Sequence, residues 1–242
     1  MKKSEYQKMY EMEETYWWHV GRKEIIKKVL SRLGLNKNTK ILNVGSGTGG
    51  TVPMLEQFGE VDNVDTSDSA IAYAKSKGIK NIKKVQGIKL PYKSNSFDVL
   101  VALDVLEHIE DDGKALSEWH RVLKNNGKGI ITVPAYQWLW SEHDESLHHK
   151  RRYTLSELSI KCSKAGFKIN NRSYLIVFSF GLIVVYRFLS SLSNKKNGHK
   201  SSYVLLPNPI NALFISLLKL ESLLIKYINF PFGTTAFVEI EK

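Results

Sequence analysis

The chain has 242 residues, 43% hydrophobic and 11% aromatic, which is enough apolar material for one packed domain and excludes global disorder. A single cysteine, Cys162, excludes an internal disulfide framework and fits a reducing compartment. The net charge of +11 allows attraction to phosphate or anionic lipid, but outside "HKRR" the lysines are scattered as solvated helix faces.

The opening "MKKSEYQKMYEMEE" lacks the apolar core of a signal peptide. The apolar runs "SYLIVFSFGLIVVY" and "YVLLPNPINALFISLL" fall short of the roughly 18–20 residues of a spanning helix. The first ends at Arg187, and the second is broken by Pro207 and Pro209. The expectation is a cytoplasmic protein, at most resting on the inner face of the membrane.

From residue 40 onward strand and helix patterns alternate. "KILNVG" is a strand ending in glycines, "VPMLEQF" has helical spacing, and "VDNVD" is a strand ending in an acid. "SDSAIAYAKSKG" reads as a helix capped by Ser67 or Asp68 and stopped by Gly78. "NIKKVQ" is a third strand and "SFDVLVALD" a fourth, apolar on both faces. "DDGKALSEWHRVLKNNG" is an amphipathic helix, and "GIITVP" a fifth strand. After "SEHDESLHHKRRY", Thr154 and Glu157 form a capping box for a helix that stops at Gly166. "FKINNRSYLIVF" and "TTAFVEIEK" are the last strands, with a helical insertion between them. The division is an N-terminal helical cap over 1–38, a core over 39–178, an insertion over 179–231 and a final strand over 232–242.

Alternating strands and helices imply a parallel sheet, whose ligands bind beyond the carboxyl ends of the strands. The glycines after strand one, Asp65 after strand two and Asp104 after strand four all lie there. "GSGTGG" opens a helix, where backbone can approach a ligand closely. Gly45, Gly47 and Gly50 satisfy GxGxxG, while Gly45, Gly47 and Gly49 satisfy GxGxG. Asp65 suits a ribose diol in either case, so these residues alone leave a dinucleotide and another nucleoside ligand open.

The chain resembles the class I S-adenosylmethionine-dependent methyltransferases of the type 11/12 group, which includes the quinone-biosynthesis enzymes. The matching stretches are "ILNVGSGTGG", "VDTSDSAI", "LPYKSNSFDVLVALDVLEHIEDD", "RVLKNNGKGIITVP" and "EHD…HKRRYTLSEL". The resemblance implies a Rossmann-like α/β fold: a seven-stranded, mostly parallel sheet with helices on both faces and a helical insertion before the last strand. It implies S-adenosylmethionine as cofactor and S-adenosylhomocysteine as product. Gly45, Ser46 and Gly47 would pass under the methionine part, and Asp65, with Thr66 beside it, would meet the ribose. Gly87 and Ile88 would flank the adenine, and Leu103 and Asp104 the methionyl side. The chain departs from the family at Asn43 and Ile88, where acids usually stand, and "QGIKLPY" is shorter than usual. Those departures keep open a non-catalytic, cofactor-binding relative. An NAD(P)-dependent oxidoreductase rests on GxGxxG alone.

The stretch 141–153 can be a metal site, a nucleic-acid patch, a solvated connection or an active-site loop. Its place after strand five favours the last, without a metal and without nucleic acid. His143 or His149 would then be the base, Asp144 would orient it, and Arg151 or Arg152 would hold an anionic substrate group. Tyr153, Trp18 and Arg22 join the expected substrate side. Trp17 is as readily core, His19 and His108 are evenly balanced between core and cleft, and His120 is read as surface. The partner is a small-molecule or lipid-linked acceptor, taken by O- or N-methylation. Residues 173–230 offer peripheral membrane contact or simple packing.

Overall fold

The structure, a computed structural model, describes residues 3–86, 88–192 and 206–242. Two helices come first, α1 (Lys3–Met12) and α2 (Trp17–Leu30). The sheet region runs β1 (Lys40–Val44), α3 (Val52–Leu55), β2 (Glu60–Asp65), α4 (Asp68–Ser76), β3 (Ile82–Lys84), β4 (Phe97–Leu103), α5 (Asp112–Val122) and β5 (Leu123–Pro134). Then come α6 (Glu142–Leu147), α7 (Leu155–Lys164), β6 (Lys168–Leu175), α8 (Phe180–Leu192), α9 (Asn208–Leu224) and β7 (Thr235–Glu241).

The strands form one seven-stranded sheet in the order β3-β2-β1-β4-β5-β7-β6. β1 to β5 pair in parallel, and β7 runs antiparallel between β5 and β6. This is the expected mostly parallel α/β sheet. The inserted antiparallel β7 departs from the 3-2-1-4-5-6 order of dinucleotide-binding sheets. α8 and α9 lie between β6 and β7 in the chain, so the helical insertion does precede the last strand.

Alternate residues of the strands feed two cores. Leu42, Leu100, Ala102 and Ile131 pack with Leu116 and Trp119 of α5 and Leu158 and Cys162 of α7. Ile41, Val99, Val101 and Ile130 pack with Ile25 and Val29 of α2 and Leu218 of α9. Burying each Leu or Ile contributes roughly 1.5–3 kcal/mol, so strands apolar on both faces hold helices on both sides.

Local chemistry sets the helix ends. Ser67 Oγ accepts from Ala70 N at 3.3 Å. Thr154 Oγ1 accepts from Glu157 N at 3.2 Å while Thr154 N donates to Glu157 Oε2 at 2.7 Å, the expected reciprocal box. Two expected helices are shorter. The one over 52–58 closes after one turn, because Gly59 must lie against the Thr39 carbonyl, where a Cβ would collide. The one over 111–127 ends at Val122, because Asn95 N and Ser96 N take the carbonyls of Arg121 and Val122 at 3.0 and 2.8 Å. Among the described residues no helix is long and apolar enough to cross a membrane.

Candidate active site

β1, β2 and β4 end on one edge of the sheet, and their ends build a cleft. Gly45 leaves β1 at φ +67° against Val105, which a Cβ would strike, and Gly47 follows at φ +56°. Gly47 N donates to Asp65 Oδ2 at 2.8 Å, and Ser67 N to Asp65 Oδ1 at 2.9 Å. Burial raises the Asp65 pKa despite these donors. Ser46 Oγ is buried here without a hydrogen-bond partner. Beneath the loop, Asn43 Nδ2 donates to Asn63 Oδ1 at 2.9 Å, and Asn63 Nδ2 to the Asn81 carbonyl at 3.0 Å. A neutral amide ladder thus occupies the place where an acid was expected.

The N-terminal helix α1 covers this loop. Met9 Sδ lies 3.5 Å from where a Gly47 Cβ would stand. Glu13 Oε2 accepts from Thr48 Oγ1 at 2.7 Å, and Glu13 pairs with Lys77. The cleft holds about 1600 Å³. A single small-molecule pocket spans roughly 300–1,000 Å³, so two molecules fit side by side.

Thr66, Ile88, Leu103 and Asp104 line the same cleft; Gly87 lies outside the described residues. Asp104 sits at φ +56°, a strained backbone for a non-glycine residue. Arg22 pairs with Asp104 Oδ2, and its guanidinium lies 4.2 Å from the Trp18 ring centre. The two tryptophans divide: Trp18 lines the cleft, while the Trp17 ring packs 5.0 Å from Phe214 in the core and its edge still reaches the cleft wall.

The stretch 141–153 folds into α6 and a left-handed turn at His148 (φ +58°). Lys150 N donates to the Glu107 carbonyl at 2.8 Å, which docks the stretch on the turn after β4. His149 Nδ1 lies 2.9 Å from Asp144 Oδ1, and its Nε2 lies 3.9 Å from Glu107 Oε1. The His108 and His149 rings are 4.7 Å apart. His143, His148 and His149 all line the cleft. Asp144 is fully buried, and burial opposes its charge. Hydrogen bonds from His149 and Arg152 outweigh that and hold its carboxyl well below the usual range. Burial, with the neighbouring His149, brings His143 down to about 4 and His108 to about 3, so both are neutral at pH 7. Burial also holds the pKa of His19, another cleft residue, well below its usual value.

Three expected substrate residues are held by partners within the fold. Arg152 lines the cleft, but its guanidinium is engaged by Asp144 and by the Ala135 carbonyl at 3.0 Å. Arg151 turns away to the Glu110 carbonyl at 2.8 Å and to Asp112 at 3.2 Å. Tyr153 is buried, and its hydroxyl donates to Asp112 at 2.9 Å. Neither Arg151 nor Tyr153 lines the cleft. His120 is half-buried against the Phe167 ring, 5.1 Å away, rather than plain surface.

Sequence reasoning passed over Glu107, whose carboxyl is fully buried with neither oxygen hydrogen-bonded. Burial, then the nearby Asp104 charge, pushes its pKa well above the usual carboxylate range. It also missed Met9 and Glu13 over the glycine loop, and Arg187, whose Nη1 lies 3.9 Å from Asp144 Oδ2. The one available signal was Glu107 standing beside His108 just after a strand end.

Residues 42–131 match the sequence profile of the methyltransferase domain family. That stretch, less than half of the chain, is similar to the methyltransferase domain family. A demethylmenaquinone methyltransferase of Staphylococcus aureus (strain JH9) is 32% identical over 129 residues, covering 48% of this chain and 54% of that protein. The chain thus spans about half the length of the curated relatives it matches. The fold of the methyltransferase domain recurs in solved structures. One belongs to a complex between the Haloferax volcanii Trm112 methyltransferase activator and a methyltransferase (TM-score 0.62, 15% identity, 98% of this chain and 97% of that chain). Another is a SAM-dependent methyltransferase from Aquifex aeolicus (TM-score 0.57, 21% identity, 72% and 93%).

Proposed function

We propose that this protein transfers a methyl group from S-adenosylmethionine to a small-molecule or lipid-linked acceptor at oxygen or nitrogen. The observation that carries the reading is one cleft, large enough for two molecules, that joins the glycine loop and Asp65 to the wall formed by Asp104, His108, His143 and His149. The cofactor supplies an already activated methyl group, so the protein's part is to hold and orient. Gly45, Ser46 and Gly47 offer close backbone and an unpartnered hydroxyl, and Asp65 and Thr66 face the ribose. Ile88, Leu103 and Asp104 flank the rest. Trp18 and Arg22 bound the acceptor side, and His149, oriented by Asp144, turns Nε2 towards it. That nitrogen can take a proton from an acceptor hydroxyl or, as argued below, hold an ion that acidifies it. Good orientation supplies up to roughly 7–11 kcal/mol of such a barrier.

An apolar acceptor tail has somewhere to go. Leu182 and Tyr186 of α8 line the cleft and are also largely exposed, and Leu213, Leu220 and Leu223 of α9 are exposed as well. Together with the +11 charge this supports a membrane-resting or lipid-linked acceptor. Flotation with anionic liposomes at low salt tests that part, and no association would remove it.

The cofactor is tested by thermal unfolding with S-adenosylhomocysteine, S-adenosylmethionine and NADH. A ligand at about 100 times its Kd adds roughly 2.7 kcal/mol, a rise of roughly 5–10 °C for a chain this long. A rise with the S-adenosyl pair alone is expected. A rise with NADH alone would overturn the reading.

A further inference from the structure

We infer that Glu107, His108 and His149 form a binding site for one divalent transition-metal ion in the wall of the cleft. One donor atom from each of the three lies within 4.8 Å of the other two. Donors about 2.0–2.2 Å from one ion stand roughly 3–3.5 Å apart, so closing the set asks only for side-chain shifts. His149 Nε2 and Glu107 Oε1 are already 3.9 Å apart.

Glu107 gives the independent reason to expect an ion. Its carboxyl is fully buried, aimed at the two imidazoles, and neither oxygen has a hydrogen-bond partner. A buried carboxyl group whose two oxygens have no hydrogen-bond partner is unfavourable. The nearby guanidinium groups are engaged elsewhere, Arg22 with Asp104 and Arg152 with Asp144. A cation supplies the missing partner. The surroundings of His149 match what metal-bound histidines show. Its Nδ1 is held by a carboxylate, Asp144, which is itself fixed by an arginine, and this leaves Nε2 as the lone-pair atom. His108 brings the third donor, its ring 4.7 Å from that of His149.

Two imidazoles and one carboxylate suit zinc, manganese or ferrous ions better than magnesium or calcium, which prefer an all-oxygen set. Three protein ligands at a cleft wall leave positions for water or substrate, as in catalytic rather than structural sites. The role of the ion, unlike its binding, rests on the methyltransferase reading. It would bind an acceptor hydroxyl and lower its pKa, so that the proton leaves to water before the oxygen takes the methyl group.

The test uses the full chain, stripped with a chelator and titrated with Co²⁺, followed by its visible absorption, then with Zn²⁺ by calorimetry and Mg²⁺ as control. Expected are one Co²⁺ per chain, displaced by Zn²⁺ and not by Mg²⁺, and affinity lowered by at least about 10–100-fold in Glu107→Gln and in His108→Ala. The metal-free Glu107→Gln protein should unfold no earlier than metal-free wild type, since the amide removes a stranded carboxyl, and it should still bind S-adenosylhomocysteine. No Co²⁺ binding at micromolar concentrations, or unchanged affinity in both variants, overturns the inference. Metal binding without S-adenosylhomocysteine binding would sink only the methyltransferase reading, and the reverse pattern only the metal site.

Discussion

Arg152 grips Asp144 at two points, Nε to Oδ1 at 2.7 Å and Nη2 to Oδ2 at 3.0 Å, with both side chains almost wholly out of solvent. Ser141 N and His149 Nδ1 share the same carboxylate at 2.9 Å each. Asp144 is therefore the hub of the 141–153 segment. Asp144→Asn leaves the Arg152 charge buried with half its partner, and breaking such a pair costs about 3–5 kcal/mol. The Asp144 carboxyl is held below its ordinary value, so its stabilisation is present above roughly pH 4 and is lost as pH falls further. Urea unfolding should show the full deficit of the variant at pH 7 and a narrowing gap below about pH 4. A gap that stays constant down to pH 3 would contradict the ion pair.

Asp65 accepts from Gly47 N and Ser67 N and also lines the cleft. Asp65→Asn keeps the shape but turns one acceptor into a donor and removes the charge. A hydrogen bond to a charged group contributes roughly 1.5–3 kcal/mol. Calorimetry should therefore show S-adenosylhomocysteine bound about 10–100-fold more weakly. Unchanged affinity would move the ribose contact away from Asp65.

What the sequence disclosed was what local rules encode. Thr154 and Glu157 cap each other within one turn, and alternating apolar strands announce a sheet covered on both faces. What stayed hidden depends on residues far apart in the chain. "LEH" reads like an ordinary acidic turn. Glu107 is fully buried in a fold where the distant Lys150 N bonds to its backbone carbonyl. No periodicity announces that α1 lies over the glycine loop, because Glu13 meets Thr48 through tertiary packing. The basic run 149–152 looked like an anion-binding surface, but its arginines face the acids Asp144 and Asp112, on which the loop folds.

Gly21 lets α2 lie directly on α9. A Cβ there would run into the side chain of Leu218, which is itself buried. In an open helix Gly→Ala stabilises by about 1 kcal/mol. Here overpacking, typically about 1–3 kcal/mol, opposes it and should win. Gly21→Ala is expected to lose about 1–2 kcal/mol in chemical denaturation, and Leu218→Ala in the same background should recover part of that loss. A stabilised Gly21→Ala would mean that the two helices are free to separate.

Glu221 ties α9 to the end of β6. Its carboxyl is fully buried and accepts from Ile176 N at 2.6 Å and Val177 N at 2.8 Å, where Ile176 itself sits at the strained φ of +62°. Burial wins over these donors and pushes the carboxyl up to about 7 from 4.5. A group whose pKa rises on folding stabilises fully below its unfolded value, and that contribution is lost as pH climbs through the folded one. Wild-type stability should then fall between about 4.5 and about 7, with a slope of up to roughly 1.4 kcal/mol per pH unit from this group. Glu221→Gln cannot titrate. It leaves one backbone N–H poorly served, at a cost of about 1–3 kcal/mol at low pH. Denaturation curves across pH 4.5–7.5 should run flatter for the variant and approach wild type at the top of the range. Parallel curves would place the pH dependence elsewhere and leave Glu221 charged in the folded protein.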